Sequence, residues 1–136
     1  MKNNNFGKIN DDANTLAKML RKDSEERQGF FDLATNSTDQ LSKLCYMSKR
    51  MKKVADAFSD VLIIDGSHQT NRFNMHLLDI VAINNLGKTT TCFFALLDNQ
   101  KSDSFSWALK NFKNQMQMEP TIIFSDDEEA LGKGLN

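Results

Sequence analysis

Residues 61–65, Val-Leu-Ile-Ile-Asp, constrain this chain more than any other stretch. Four apolar side chains in succession leave no polar face, so a strand made from them is buried on both sides. A sheet covered on both sides needs helices in layers around it, which points to an α/β protein. The run ends in an acid and is followed by Gly66 and the polar stretch 67–71.

The elements after residue 60 fit that demand. Residues 75–84 read as a second strand. Asn84-Asn85-Leu86-Gly87 reads as a turn, and residues 89–97, rich in β-branched and aromatic side chains, as a third strand. Ser102 is placed to cap a helix running to about residue 117, with Phe105, Ala108, Leu109, Phe112 and Met116 as its apolar stripe. Pro120 bars continuation. Residues 121–124 form a short strand, and Ser125-Asp126-Asp127-Glu128-Glu129 opens a final helix. The predicted order is strand, strand, strand, helix, strand, helix.

Before residue 60 the pattern changes. Residues 1–10 are polar and predicted to fray. Residues 11–27 carry Leu16, Met19 and Leu20 at helical spacing, with acids early and bases late, as the helix dipole favours. Residues 30–35 and 41–47 flank the turn-forming cluster Asn36-Ser37-Thr38-Asp39 and read as a hairpin. Ser48 can cap a helix over residues 49–58, whose Met51, Val54, Ala55 and Phe58 share one face. Lys49, Arg50, Lys52 and Lys53 occupy the other, as a solvated face or as one that contacts phosphates.

Composition narrows the function. A chain of 136 residues, 40% apolar and 26% charged, can build one core without disulfides. Its two cysteines, Cys45 and Cys92, are too few for a disulfide scaffold or a zinc site. No apolar run approaches the about 18 residues of a membrane span, and the start does not resemble a signal peptide, so an intracellular place is expected. The net charge is −1, but residues 1–59 hold 11 Lys/Arg against 8 Asp/Glu and residues 60–136 hold 6 against 10. An acidic half repels phosphates unless cations neutralise it.

Two acids stand out by position. Asp65 closes the first buried strand and Asp126 follows the fourth. If those strands are parallel neighbours, both acids sit at the sheet edge where α/β proteins bind ligands. Strands lie about 4.8 Å apart, so two carboxylates there can share divalent cations. Mg²⁺ prefers hard oxygen ligands and keeps several waters. Paired ions about 3.5–4 Å apart activate a nucleophile and stabilise a leaving oxygen, which is chemistry for cutting or joining nucleic-acid strands. A structural reading stands beside this one: Asp126 can be an N-cap with Glu129 behind it, or Ser125 and Glu128 can form a capping box. His68 can reach a phosphate or serve the loop's packing. Arg72 and Lys101 are phosphate-contact candidates against a default of solvent-facing charge, and Trp107, off the helix stripe, is assigned to packing.

The segment Val61-Leu62-Ile63-Ile64-Asp65-Gly66-Ser67-His68-Gln69-Thr70-Asn71-Arg72-Phe73-Asn74-Met75 resembles the first catalytic strand of Mutator-like (MULE) transposases. The likeness is greatest to the RNase H-like domain of transposase-derived SWIM zinc-finger proteins. Phe94-Ala95-Leu96-Leu97-Asp98-Asn99-Gln100 and Ser104-Phe105-Ser106-Trp107-Ala108-Leu109 resemble the family's third strand and following helix. Residues 120–131 are similar to the strand that delivers its second acid. His76-Leu77 stands where Pro-Leu is usual, and Gln100 where Glu is common. The resemblance covers roughly residues 40–136.

It implies an RNase H-like mixed sheet in the order β-β-β-α-β-α, C-terminally truncated over residues 48–136. Residues 1–47 would form a helix-and-hairpin extension. It also implies a DDE-type centre with two of its three acids, Asp65 and Asp126, as catalytic and metal-binding residues, and His68 and Arg72 as possible phosphate contacts. Mg²⁺ or Mn²⁺ is the implied cofactor, DNA the partner, strand cleavage and transfer the ancestral reaction, and the nucleus the expected place. Glu128 and Glu129 are too close to Asp126 to be the third acid, so little activity is expected of the chain alone. The alternative is a domesticated, non-catalytic DNA- or protein-binding module.

Overall fold

The computed structural model describes residues 11–70, 75–117, 119 and 121–124. The elements in order are α1 (Asp11–Arg27), β1 (Phe30–Thr35), β2 (Leu41–Met47), α2 (Lys49–Ala57), β3 (Leu62–Thr70), β4 (His76–Ile83), β5 (Thr89–Leu97), α3 (Ser102–Gln115) and β6 (Ile122–Phe124). The six strands form one sheet in the order β1-β2-β5-β4-β3-β6. All neighbours are antiparallel except β3 and β6, which run parallel.

This is the mixed α/β sheet that the sequence predicts. The N-terminal hairpin does not stand apart: β2 pairs with β5 from Lys43↔Leu97 to Tyr46↔Phe94, so one sheet runs from the hairpin into the later strands. The predicted polar stretch after Gly66 is instead strand, since β3 continues to Thr70 with an irregularity between Gly66 and Thr70. The expected final helix lies outside the described residues, as does the polar start.

Alternation along the strands divides the core between two faces. Met47, Leu62, Ile64, Leu78, Ile80 and Phe93 point to the face covered by α2 and α3. Helix α3 contributes Phe105, Ala108, Leu109 and Phe112 to this layer, all from the predicted stripe, and Met116 packs at its margin. Phe112 meets Phe93 edge-on, with ring centroids 5.3 Å apart. Trp107 packs against the same cluster, the structural role its position suggested. The opposite face holds Leu44 and Leu96, covered by Ala13 and Ala17 of α1 with Leu16 and Leu20 beside them.

Strand β5 reaches both layers by alternation and carries a bulge near its start. Ile80 pairs with Phe93, but Val81 pairs with Thr91, so Cys92 faces no residue on β4. One extra residue resets the alternation. Cys92 and Phe93 are therefore both fully buried in the same cluster, and Thr91 falls on the opposite face.

The helix ends follow local chemistry. Ser48 Oγ accepts from the Met51 N–H at 3.0 Å, the cap expected for α2. Helix α3 begins differently: its N-cap is Lys101, and Ser102 lies within the helix. No side chain caps it; the preceding Asn99 braces the turn before it, its Oδ1 accepting from the Lys101 N–H at 2.9 Å and the Ser104 hydroxyl at 2.8 Å. Helix α1 closes with Gln28 at φ 61° and a Gly29 N–H to Ser24 C=O bond of 2.9 Å, the pattern of a Schellman end. The predicted turn at Asn84–Gly87 is present, with Gly87 at φ 80° as only glycine accepts readily.

Candidate active site at the end of the parallel strand pair

Strand β3 carries Leu62 and Ile64 toward the α2/α3 layer, so Ile63 and Asp65 point the other way. Asp65 is exposed. Directly across from it, on β4, stands Asp79. Sequence reasoning did not single out Asp79, although one acid inside the apolar run His-Leu-Leu-Asp-Ile-Val-Ala-Ile was the available signal. The row continues across the sheet as Asp79↔Phe94, Phe94↔Tyr46 and Tyr46↔Phe31. Its aromatic part lies beside α1, and its acidic part lies beyond it.

Asp79 is half-buried, and the Thr91 hydroxyl donates to its Oδ2 at 3.2 Å. Burial holds its carboxyl above the usual carboxylate range. The Thr91 bond opposes that shift, and the Asp65 charge adds to it. The bulge at Cys92 is what turns Thr91 to this face, so an irregularity in β5 serves a carboxylate on β4.

Strand β6 approaches from the other side. It pairs with β3 in parallel, in the register Leu62↔Ile122, Ile63↔Ile123 and Ile64↔Phe124. That register stops one residue before Asp65 and two before Asp126. The parallel neighbourhood required for a shared rim is thus present. Asp126, with Asp127, Glu128 and Glu129, lies outside the described residues, as does Arg72; His68 is on β3, with its side chain outside the description.

The donor chemistry suits a hard cation in kind. Asp65 offers an exposed carboxylate, and oxygen ligands of that type take Mg²⁺ or Mn²⁺. Among the described residues no three His, Cys, Asp or Glu converge to hold an ion. The cysteines take no part in such a set: Cys45 and Cys92 are free and buried, and burial pushes both thiols up to about 12. No helix among the described residues is long and apolar enough to cross a membrane.

Comparison with known proteins agrees with this architecture. The family model of the zinc finger SWIM domain-containing protein 1/3 RNaseH-like domain matches residues 11–128. The match begins at α1, so the N-terminal helix and hairpin fall within it. Protein FAR1-RELATED SEQUENCE 6 of Arabidopsis thaliana is 28% identical over 97 residues, 71% of this chain and 14% of that protein. Protein FAR1-RELATED SEQUENCE 11 of the same plant is 26% identical over 122 residues, 87% of this chain and 18% of that protein. An 83-residue stretch is 25% identical to part of a PKS-NRPS hybrid synthetase, cheA, of Chaetomium globosum, 2% of that protein's length. The chain thus spans less than a fifth of each of these relatives. No solved structure gives a significant match. With a mixed sheet in which β3 and β6 run parallel and the family match running from α1 past β6, the chain belongs to the RNaseH-like domain family of zinc finger SWIM domain-containing proteins 1 and 3, a MULE-like, transposase-derived RNase H-like domain.

Proposed function

We propose that this domain keeps the carboxylate part of a metal-dependent DNA strand-transfer centre, with Asp65 and Asp126 as the ligands of Mg²⁺ or Mn²⁺. The observation that carries this reading is the exposed Asp65 carboxylate beside a parallel β3–β6 pair whose last partner residue is Phe124. A bound ion would supply Lewis-acid polarisation of a phosphoryl oxygen and a lowered pKa for water. The protein's own share is to hold Asp65 on a strand fixed by pairing on both sides, with Asp126 following the last β6 residue by two positions in sequence. His68 and Arg72 are the residues available to contact the phosphate backbone, and DNA is the substrate the family implies. A nuclear place goes with that substrate.

Titration of the isotope-labelled chain with Mn²⁺, followed by NMR, tests the site. Paramagnetic broadening should begin at Asp65 and residues 122–128 at millimolar metal and disappear in Asp65→Asn. Broadening that is absent, or that the substitution leaves unchanged, overturns the metal reading. Duplex binding that then persists in EDTA would identify a non-catalytic module.

A further inference from the structure

Among the described residues, the two helices on the face opposite Asp65 carry a marked excess of positive charge. Helix α2 bears Lys49, Arg50, Lys52 and Lys53 against a single acid, Asp56. Helix α3 with its N-cap adds Lys101, Lys110 and Lys113 against Asp103. Seven cations therefore face two carboxylates in a chain of net charge −1. Helix α1, on the other side of the sheet, has four basic and five acidic residues.

Most of the positive groups lie on the solvent-facing sides of the two helices that cover this face. Lys49, Arg50, Lys53, Lys101 and Lys110 are exposed, while the apolar sides of both helices are spent on the core. Lys49 to Lys53 covers about 6 Å of helix axis. Asp56 is already engaged by Lys52 at 3.0 Å. It also accepts from the Gln117 N–H at 3.3 Å, joining the region just after α3 to α2. Lys49 donates to the neutral Gln28 amide at 3.0 Å and forms no ion pair among the described residues. Behind this layer Lys43 of β2 lies 6.0 Å from the Trp107 ring centre, a further cation on the same face.

The surface lacks what other partners need. The large exposed apolar residues Met19, Val61, Leu77 and Leu86 all lie outside α2 and α3. A membrane-surface helix inserts apolar side chains, and a protein interface is anchored by buried aromatic or aliphatic groups. Here the apolar sides already face the sheet. Dense, hydrophilic positive charge without an anchor matches a regular polyanion read by its phosphates.

We propose that the α2/α3 layer is a docking surface for the phosphate backbone of duplex DNA, independent of sequence and metal, on the side of the sheet opposite Asp65 and Asp79. It goes beyond the metal site and does not depend on it.

Fluorescence anisotropy with a labelled random-sequence duplex in EDTA, over a salt series, tests this. The full chain should bind at low salt, with log K falling linearly against log salt. The variant Arg50→Glu/Lys53→Glu/Lys110→Glu should bind on the order of tenfold or more weakly and flatten that slope by about 3. The charge-matched control Lys18→Glu/Lys22→Glu/Lys88→Glu should bind nearly as the parent does, and circular dichroism should show both variants folded. Because the assay is run in EDTA, failure of the metal site leaves this result intact. Equal losses in the two triple variants, unchanged binding by the α2/α3 variant, or no duplex binding at low salt would each overturn the proposal. So would displacement by poly-glutamate at charge concentrations where a competing duplex has no effect, which would mark an acidic protein as the partner.

Discussion

Asp65 of β3 and Asp79 of β4 stand directly opposite each other, on the sheet face turned away from α2 and α3. Like charges in that position destabilise a strand pair, and opposed side chains typically contribute about 0.2–1 kcal/mol. Asp79 bears the larger desolvation because it is half-buried, whereas Asp65 is exposed. Asp79→Asn removes one charge and keeps an oxygen for the Thr91 hydroxyl. In EDTA at neutral pH it should raise stability by about 0.2–1 kcal/mol, measured by urea unfolding. Because the folded carboxyl titrates above its ordinary value of 3.8, the gain should be full near neutrality, fade as pH falls through the raised folded pKa and be gone below 3.8. A loss of stability at neutral pH would contradict this account of the pair.

The same cross-strand row contains a second ionisable contact. The Tyr46 hydroxyl donates to Asp23 of α1, which also pairs with Arg27 at 2.9 Å. Burial, then the Asp23 bond, pushes the phenol from 10.0 up to about 12. A group whose folded pKa is raised stabilises fully below its unfolded pKa and loses that contribution as pH rises to the folded one. The chain should therefore lose stability between pH 10 and 12, on top of a loss beginning near pH 9 from the buried Cys45 and Cys92 thiols. Tyr46→Phe should cost about 0.5–1.5 kcal/mol at neutral pH and make the alkaline decline shallower. Thermal melts of both proteins across this range provide the measurement.

What the sequence disclosed follows from how local each signal is. The run ending at Asp65, the 89–97 strand and the Ser48-capped α2 are stretches whose own pattern decides whether they are strand or helix, but the expected burial of the run on both sides does not hold, since Val61 is exposed and Ile63 only partly buried. The seating of β2 against β5 joins segments some fifty residues apart, and periodicity within either segment cannot encode it. The Cys92 bulge escaped for the same reason: an extra residue exists only relative to a partner strand. Asp79 escaped because its meaning comes from the residue opposite. The expected Ser102 cap of α3 fails because the helix starts one residue earlier, where the Lys101 carbonyl accepts from the Ser104 and Phe105 N–H groups. Asp65 was legible because an acid ending an apolar run is unusual without any tertiary knowledge.

Gln28 ends α1 in the left-handed region, where a side chain crowds its own backbone. Its amide accepts an exposed bond from Lys49, which contributes little. Gln28→Gly should relieve the strain at some cost in unfolded-chain entropy, for a net gain of about 0.5–1 kcal/mol. Gly29→Ala should go the other way, since an added Cβ would lie 3.1 Å from the Met47 carbonyl oxygen. Urea midpoints of the two variants should fall on opposite sides of the parent.

The bulge in β5 makes a test of its own. Cys92 and Phe93 are adjacent, fully buried and in one cluster, yet they do different work. Phe93 pairs with Ile80 and meets the Phe112 ring at the centre of the α2/α3 layer. Phe93→Ala removes a large side chain from a site closed on all sides and should cost about 3–5 kcal/mol. Cys92 is the unpaired residue of the bulge and carries a small side chain, so Cys92→Ala should cost about 1 kcal/mol, roughly one small group of buried surface. Cys92→Ser places a hydroxyl in the same dry position without an assured acceptor and should cost about 1–3 kcal/mol. Phe93→Ala should therefore lower the urea midpoint most, Cys92→Ala least and Cys92→Ser in between. If Cys92→Ala proved as costly as Phe93→Ala, the bulge residue would be a principal packing element and the two-layer division described for β5 would need revision.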